Sequence, residues 1–462
     1  MSYSWHTPEI PLEEEPKGLS VWLFLFVFFL CGICGAVLRL ATWPQGKPVD
    51  GAFWVGFGVI PMLIAISISA FMLFNLFVQE GLVLHWNFLC AVSRETWQDW
   101  ARVHVVVLDS VVVTPEPDLA ERLLGLEGSP PSNPGKVLSL PSPEDGMAGD
   151  RLAALLAQLL SPLAPAIRRV QQVTSLTICI EGGHQDDVQV VQRVWKTLNL
   201  PQAAKIVRYE ADGPSLLCSD AGTSTDSRLV LAYQLLDPEQ DVAAYSELGT
   251  GLILISPETA SRLKLTQRTR LLRTIDTTSE DMSEALGILL RAKQATAQKL
   301  RHVWFSRLDK TARHAVKATA QESLPAATLH DIDEAIGKPG PANGWLSLAL
   351  AAQMVRHGQG AQLVASVRDN NRMAWNIVTS TLESGQQVQY PDVHSEFVYA
   401  MYGISFMLAA FACGLSLDGK MDQEILSWMA VGTVVFTLLV VGAGFWMRRN
   451  IENQFLDKLT TY

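Results

Sequence analysis

The chain has 462 residues, 48% of them hydrophobic and only 18% charged, with 46 acidic against 36 basic side chains and a formal net charge of −10 at pH 7. This balance, without a basic patch interleaved with aromatics, excludes a phosphate-backbone binder, so no nucleic-acid partner is expected. The six cysteines form neither a disulfide framework nor zinc-type spacing, which fits reduced thiols; no metal and no cofactor are expected.

The tail 1–18 is acidic, lacks a basic n-region and offers no small-residue cleavage site, so it does not read as a cleaved secretory signal. Residues 19–78 hold two uninterrupted apolar runs, Leu19 to Leu38 and Phe53 to Val78. Each matches the ~20 residues that span a ~30 Å hydrocarbon core, where the backbone must bond to itself, so each predicts a transmembrane helix. Cys31 and Cys34 sit inside the first run, where small residues pack helices. Residues 79–102 are amphipathic, and Trp86, Trp97 and Trp100 are expected at the membrane interface, as a structural collar. A second pair of runs, Phe397 to Leu417 and Ile425 to Trp446, predicts another transmembrane hairpin over 397–446 before the tail 447–462.

Two crossings before the middle region put both tails and the central domain on one side. The short connecting loops carry Arg39, Lys47 and Lys420, whereas the tails and first soluble turn carry Lys17, Arg94, Arg102, Arg448, Arg449 and Lys458, a bias that favours a cytoplasmic central domain.

Between the hairpins, Val103 to Val113 reads VHVVVLDSVVV, a buried strand, followed by a helix at Asp118 to Leu126 and a loop, GSPPSNPG, at Gly128 to Gly135. An amphipathic helix is predicted from Arg151 to Val170, kinked or split at Pro162 and Pro165. Strand-like runs follow at SLTICIEGG, AKIVRYEA, SRLVLAYQLL and GLILIS. Helices are predicted at Glu280 to Lys299, Lys310 to Gln321 and Trp345 to His357, with a last strand at Ala361 to Val367. This alternation predicts an α/β soluble domain with helices covering a mixed or parallel sheet, in two halves, 103–245 and 246–370, followed by a connector, 371–396.

The later half resembles the thiolase-like fold of β-ketoacyl synthases. GTGLILISPETASRLKL, Gly249 to Leu265, is similar to the opening of that family's second half, and IGKPGPANGWLSLALAAQMVRHGQGAQLVAS, Ile336 to Ser366, to its later turn, Gly/Ala-rich helix and strand. The resemblance implies α-β-α layers. It also exposes departures: Lys338 stands where the family places one catalytic histidine, and RHVWFSRLDKTARHA, Arg301 to Ala315, lacks the His-Gly-Thr-Gly-Thr motif although His302 and His314 are near. A cysteine nucleophile is required at the start of a buried helix. Cys218 lies near that place in order but is followed by a polar loop, and Cys179 matches an earlier strand. No catalytic residue is therefore assigned, and the resemblance implies the fold without its chemistry.

Other chemistry finds little footing. GTSTD and LGTGLI are too short and wrongly placed for a phosphate loop. His184-Gln185-Asp186-Asp187 suggests a metal site, but carboxylates at a helix start more simply cap it. Lys338, Arg356, His357 and Arg368 gather near one helix and strand as a candidate binding lip, weighed against a solvated edge.

The expectation is a multi-pass bacterial inner-membrane protein whose partners are the lipid bilayer and another protein. It would act as a binding or scaffold protein without enzymatic activity. By resemblance to noncatalytic thiolase-like adaptors of type VI secretion lipase effectors, the partner is a secreted effector and the role that of an accessory, adaptor or immunity protein. The alternative is a membrane-associated acyltransferase or synthase with a non-standard active site, marked by Cys179 or Cys218 opening into an apolar tunnel.

Overall fold

The computed structural model describes residues 4–5, 10–141, 148–184, 186–201, 205–209, 227–236, 244–266, 268–369, 372–383, 388–389 and 423–461. The chain divides into two compact units, Met1–Trp5 with Trp97–Gly385, and His6–Thr96 with Gln386–Tyr462.

The first apolar run forms α1, Val21–Thr42, with no buried residue. The second starts as α2, Gly51–Trp54, passes through a π-helical turn at Val55–Val59 and continues as α3, Ile60–Ala101. Val21–Thr42 and Gly51–Ala101 are long and apolar enough to cross a membrane. The π turn has an identifiable cause. Pro61 has no N–H for the carbonyl four residues back and its ring collides with that carbonyl, so the preceding turn widens, and Ile60 N–H bonds to Val55 instead. The Pro61 ring then lies against Gly35 of α1, leaving no room for a Cβ there. At the hairpin apex Asp50 caps α2 through Phe53 N–H at 3.0 Å. Arg39 donates to the Ala52 carbonyl at 2.7 Å, and Arg39 and Lys47 lie 4.5 and 4.7 Å from the Trp43 ring.

The sheet unit contains β1 (His104–Val113), α4 (Leu119–Leu123), α5 (Ala148–Gln171), β2 (Leu176–Glu181), α6 (Asp187–Thr197), β3 (Lys205–Tyr209), β4 (Ser227–Gln234), β5 (Leu248–Ile255) and α7 (Pro257–Arg262). It continues with β6 (Thr269–Leu272), β7 (Ile275–Thr277), α8 (Met282–Arg291), β8 (Leu300–Phe305), α9 (Lys310–Ser323), β9 (Thr328–Asp331), α10 (Ile332–Ile336), α11 (Asn343–Arg356), β10 (Ala361–Asp369) and β11 (Arg372–Thr379). Among the described residues, eleven strands join one mixed sheet in the order β3-β2-β4-β5-β1-β6-β11-β10-β8-β9, with β7 beside β11. With β7 set aside, the strands of each half run, from either edge inward, third, second, fourth, fifth, first. In both halves the third, second and fourth are parallel, and the fifth is antiparallel to its neighbours. The sheet unit is thus an internal duplication.

This pairing moves the expected boundary at 246: GTGLILIS is β5, the last strand of the first half, and the second half opens at β6. β11 lies in the stretch expected as a connector, and the helix expected at Glu280 to Lys299 is only α8. α5 is continuous through Pro162 and Pro165. Both prolines lie on its solvent side, and the carbonyls they leave without a donor, at Gln158 and Ser161, belong to exposed residues that water can reach. The opposite face of α5 buries Leu152, Leu155, Leu156, Leu159, Leu160, Leu163 and Ile167. It sits so close to β5 that a Cβ at Gly249 or Gly251 would meet Leu155 or Leu163 at 2.8 or 2.9 Å. The glycines of LGTGLI therefore serve helix–sheet packing.

α5, α6 and α7 cover the first half, α8 and α9 cover the second, and α11 packs on strands of both. The loop 133–140 is laced across the domain: Glu334 O, Lys338 N and Glu247 N all bond its backbone. Glu247, fully buried, accepts from Leu140 N at 2.7 Å, Leu236 N at 2.8 Å and the Arg151 guanidinium at 2.8 Å.

In the helical unit, the fourth apolar run lies within α12, Gln423–Thr461, whose Val434, Leu438, Leu439, Phe445 and Trp446 are exposed. Phe455 of α12 meets Trp86 edge-on at 5.5 Å. The third run, Phe397 to Leu417, lies outside the described residues.

Two substitutions test this packing. Gly35→Leu is expected to lower the melting temperature of the detergent-solubilised chain, whereas Gly32→Leu, with open space around its Cβ, leaves it within experimental error. Glu247→Ala strands two backbone N–H groups and is expected to cost about 3 kcal/mol in urea unfolding, and Glu247→Gln less than half of that.

Candidate functional site

α11 is buried on nearly every side, from Asn343 through Val355, as a helix apolar all round must be. Its N-terminal polar groups are therefore held by protein. Asn343 Oδ1 accepts from Gly340 N at 2.9 Å and from Gln234 Nε2 at 3.1 Å, and Gln234 Oε1 accepts from Ala342 N at 3.0 Å. Asn343 Nδ2 donates to Ser306 Oγ at 2.8 Å, and Ser306 in turn donates to Asp333 Oδ1. Asp333 also accepts the Arg307 N–H, at 2.9 Å to Oδ2, and Arg313 at 3.1 Å. Ser306 directly follows β8, Asp333 lies in α10 and Gln234 ends β4, so both halves of the sheet close on the helix start. Arg307 takes φ +60°, a left-handed conformation that aims its N–H at the carboxylate.

The group is closed to solvent: Ser306 is 3% exposed, Asn343 0%, Gln234 4% and Asp333 6%. Burial lifts the Asp333 carboxyl to about 6 against the hydrogen bonds from Ser306 and Arg307, with Asp331 raising it further. The Ser306 hydroxyl donates to a carboxylate and accepts from an amide, so both its roles are filled.

The four residues expected to form a lip fall in three separate places, only Arg356 and His357 staying together. Lys338 is exposed ahead of α11, five residues before the helix begins, and its backbone bonds Lys136 and Ser246. The residue that heads the helix is Asn343. Arg356 and His357 lie at the other end of α11, roughly 20 Å away at 1.5 Å per residue, beside a groove of about 630 Å³. Arg356 pairs with Asp109 at 2.6 Å, and His357 approaches Glu121 at 3.9 Å. Arg368, on β10, pairs with Asp276 of β7.

The three tryptophans are packing residues. Trp86 is 3% exposed, donates to Pro11 O at 3.1 Å and stacks under Lys458 at 4.6 Å. Trp97 is 6% exposed and donates to Ser4 O at 3.0 Å, and Trp100 meets Trp5 at 5.1 Å and Arg273 at 4.4 Å.

Cys179 is fully buried on β2, and burial pushes its thiol up to about 11. Cys218 lies outside the described residues. His302 Nδ1 and His330 Nε2 are 3.0 Å apart on β8 and β9, with His330 stacked on Trp304 and driven down to about 4 by burial and by His302. His302 precedes Ser306 by four residues, about 13 Å along a strand. Asp187 caps the turn before α6 by accepting His184 N–H and Tyr233 Oη–H, both at 2.7 Å. Among the described residues no three metal-ligating side chains gather. The sequence reading missed Ser306, Asp333, Asn343 and Gln234; the one local hint was the paired Asp331 and Asp333 beside an apolar run.

No family model and no curated protein matches the chain. Solved structures to which it is similar include the oxazolomycin ketosynthase domain of Streptomyces albus JA3453, at 12% identity over 62% of this chain and 99% of that one, TM-score 0.42. A monomeric SCP2-thiolase-like protein of Mycobacterium smegmatis has 10% identity over 64% and 81%, TM-score 0.41. Human mitochondrial 3-ketoacyl-CoA thiolase has 10% identity over 61% and 100%, TM-score 0.39.

Asp333 holds its proton more tightly folded than unfolded, so the stability it contributes is full below about 4 and is lost as pH rises through about 6, a swing of about 3 kcal/mol. His330, shifted down, gains stability over the same window and masks this in the parent chain. The expected result is a difference. Asp333→Asn gains on the parent by that amount between pH 4 and pH 7 in urea unfolding, and a constant offset across pH would refute the assignment.

Proposed function

We propose that this chain is a non-enzymatic, multi-pass membrane protein whose duplicated α/β domain, of thiolase type, binds another protein at the bacterial inner membrane; a secreted effector is the narrower case of that partner. The observation that carries it is the Ser306–Asn343 pair. The family resemblance gives histidines to a strand of the second half and to the start of the Gly/Ala-rich helix. Here the residue after β8 and the start of α11 carry a hydroxyl and an amide that satisfy each other, are closed to solvent and include no imidazole. Cys179 adds to this, since a buried thiol with a raised pKa is a poor nucleophile. The duplicated strand order and the helix enclosed between halves support the fold, and the two long apolar helices together with the outward apolar face of α12 support membrane anchoring.

The test uses full-length protein from its own host, extracted in detergent. Incubation with acyl-coenzyme A thioesters is expected to leave no acyl adduct by mass spectrometry, and affinity capture is expected to retain the same protein partner from the parent and from Cys179→Ala/Cys218→Ala. An adduct lost in that variant would make the protein an acyl-transferring enzyme and sink the proposal.

A further inference from the structure

The first strand of the sheet is only partly paired. β1 is matched by β5 along Val106–Val113 but by β6 only along His104–Val107, and the ladder to β5 is irregular between Val107 and Asp109. From Asp109 to Val113 the second edge of β1 has no partner strand among the described residues. Ser110 shows which way that edge faces. Its N–H is taken by the Asp109 carboxylate at 2.9 Å, and its carbonyl receives Gln353 Nε2 at 3.5 Å, a long contact. Both groups therefore point away from β5. By the alternation of an antiparallel ladder, so do those of Val112 two residues on.

This edge lines the groove of about 630 Å³, whose other walls are Pro117 and Leu119 after β1 and Leu350 and Gln353 of α11. Pro115 and Pro117 stop the strand from extending, so the groove takes about five residues of extended chain, some 16 Å. Its rim is acidic. Arg356 is neutralised by Asp109 and Arg122 by Glu116, at 2.6 and 2.7 Å, which leaves exposed Asp118 and half-buried Glu121 opposite the single imidazole of His357.

We infer that this groove docks an extended, lysine- or arginine-bearing peptide segment of a partner protein, added as a strand along β1. The inference rests on the protein-contact reading above and names the surface and the chemistry of the contact. Main-chain bonds to Val112 supply affinity, and the rim supplies the preference for positive charge.

The experiment is fluorescence polarisation on the full-length chain in detergent. The probes are a labelled peptide, Gly-Lys-Val-Lys-Val-Lys-Val-Gly, and its counterpart with glutamate for lysine. The lysine probe is expected to bind about tenfold or more tightly than the glutamate probe, and Asp118→Lys/Glu121→Lys, both at the rim, to abolish or reverse that preference. On the unmodified chain, the same probe should slow amide exchange at Val112, a readout independent of how the variant folds. Equal binding of the two probes, indifference to the rim reversal, or protection confined to other strands would overturn the groove. A partner captured equally by the parent and the rim-reversed chain would also reject the groove, while leaving the protein-contact reading standing.

Discussion

The sheet unit is organised by one constraint: α11 is apolar all round, and a helix enclosed on every side cannot leave its first N–H groups to water. Three elements far apart in sequence must supply hydrogen-bond partners at one point. Gln234 from the end of β4, Ser306 directly after β8 and the turn at Gly340 converge on Asn343. An unmet polar group at such a site costs about 1–3 kcal/mol, so the network fixes where the two halves of the sheet can sit about the helix. The same demand explains why a carboxylate with a raised pKa is tolerated there. Asp333 accepts what Ser306, Arg307 and Arg313 donate, and an isosteric apolar residue would strand all three.

Duplication gives this arrangement its geometry. Each half brings its fifth and first strands to the centre of the sheet, and both centres present Val and Leu side chains to α11. The halves are then tied a second time on the first-half side, where the loop 133–140 bonds α10, the turn before α11 and the start of β5. Glu247 gathers this lacing, because its two oxygens satisfy N–H groups from two segments and hold the start of α5 through Arg151. Gly337 belongs to the same knot: with φ +88° and the Lys136 carbonyl against it, its place admits no side chain.

What the sequence disclosed followed the range of the forces involved. Valine runs marked β1, leucine spacing marked α5, and uninterrupted apolarity marked α1 and the start of α3, because these signals are complete within one segment. β8, β9 and β11 were missed because they are short or carry Arg, His and Asn between apolar residues, and only their neighbours in the sheet make them strands. The polar cluster was missed for the same reason. Ser306 meets Asp333 and Asn343 across 27 and 37 residues, and Gln234 meets Asn343 across 109. Charge drew attention to Lys338, which faces solvent, while the uncharged Asn343 beside it heads the helix. The prolines of α5 misled because their effect depends on which side of the helix water lies.

The pairing of β1 with β5 also bears on synthesis. About 135 residues separate Val113 from Leu248, so at 5–20 residues per second the ribosome leaves β1 without its partner for roughly 7–27 s. A run of six valines with low charge is, for that interval, a segment prone to pair with its like. Asp109 and Ser110 divide the run into two groups of three, neither long enough for a six-residue zipper. The carboxylate that in the finished domain anchors Arg356 thus acts, on the nascent chain, as a gatekeeper against aggregation.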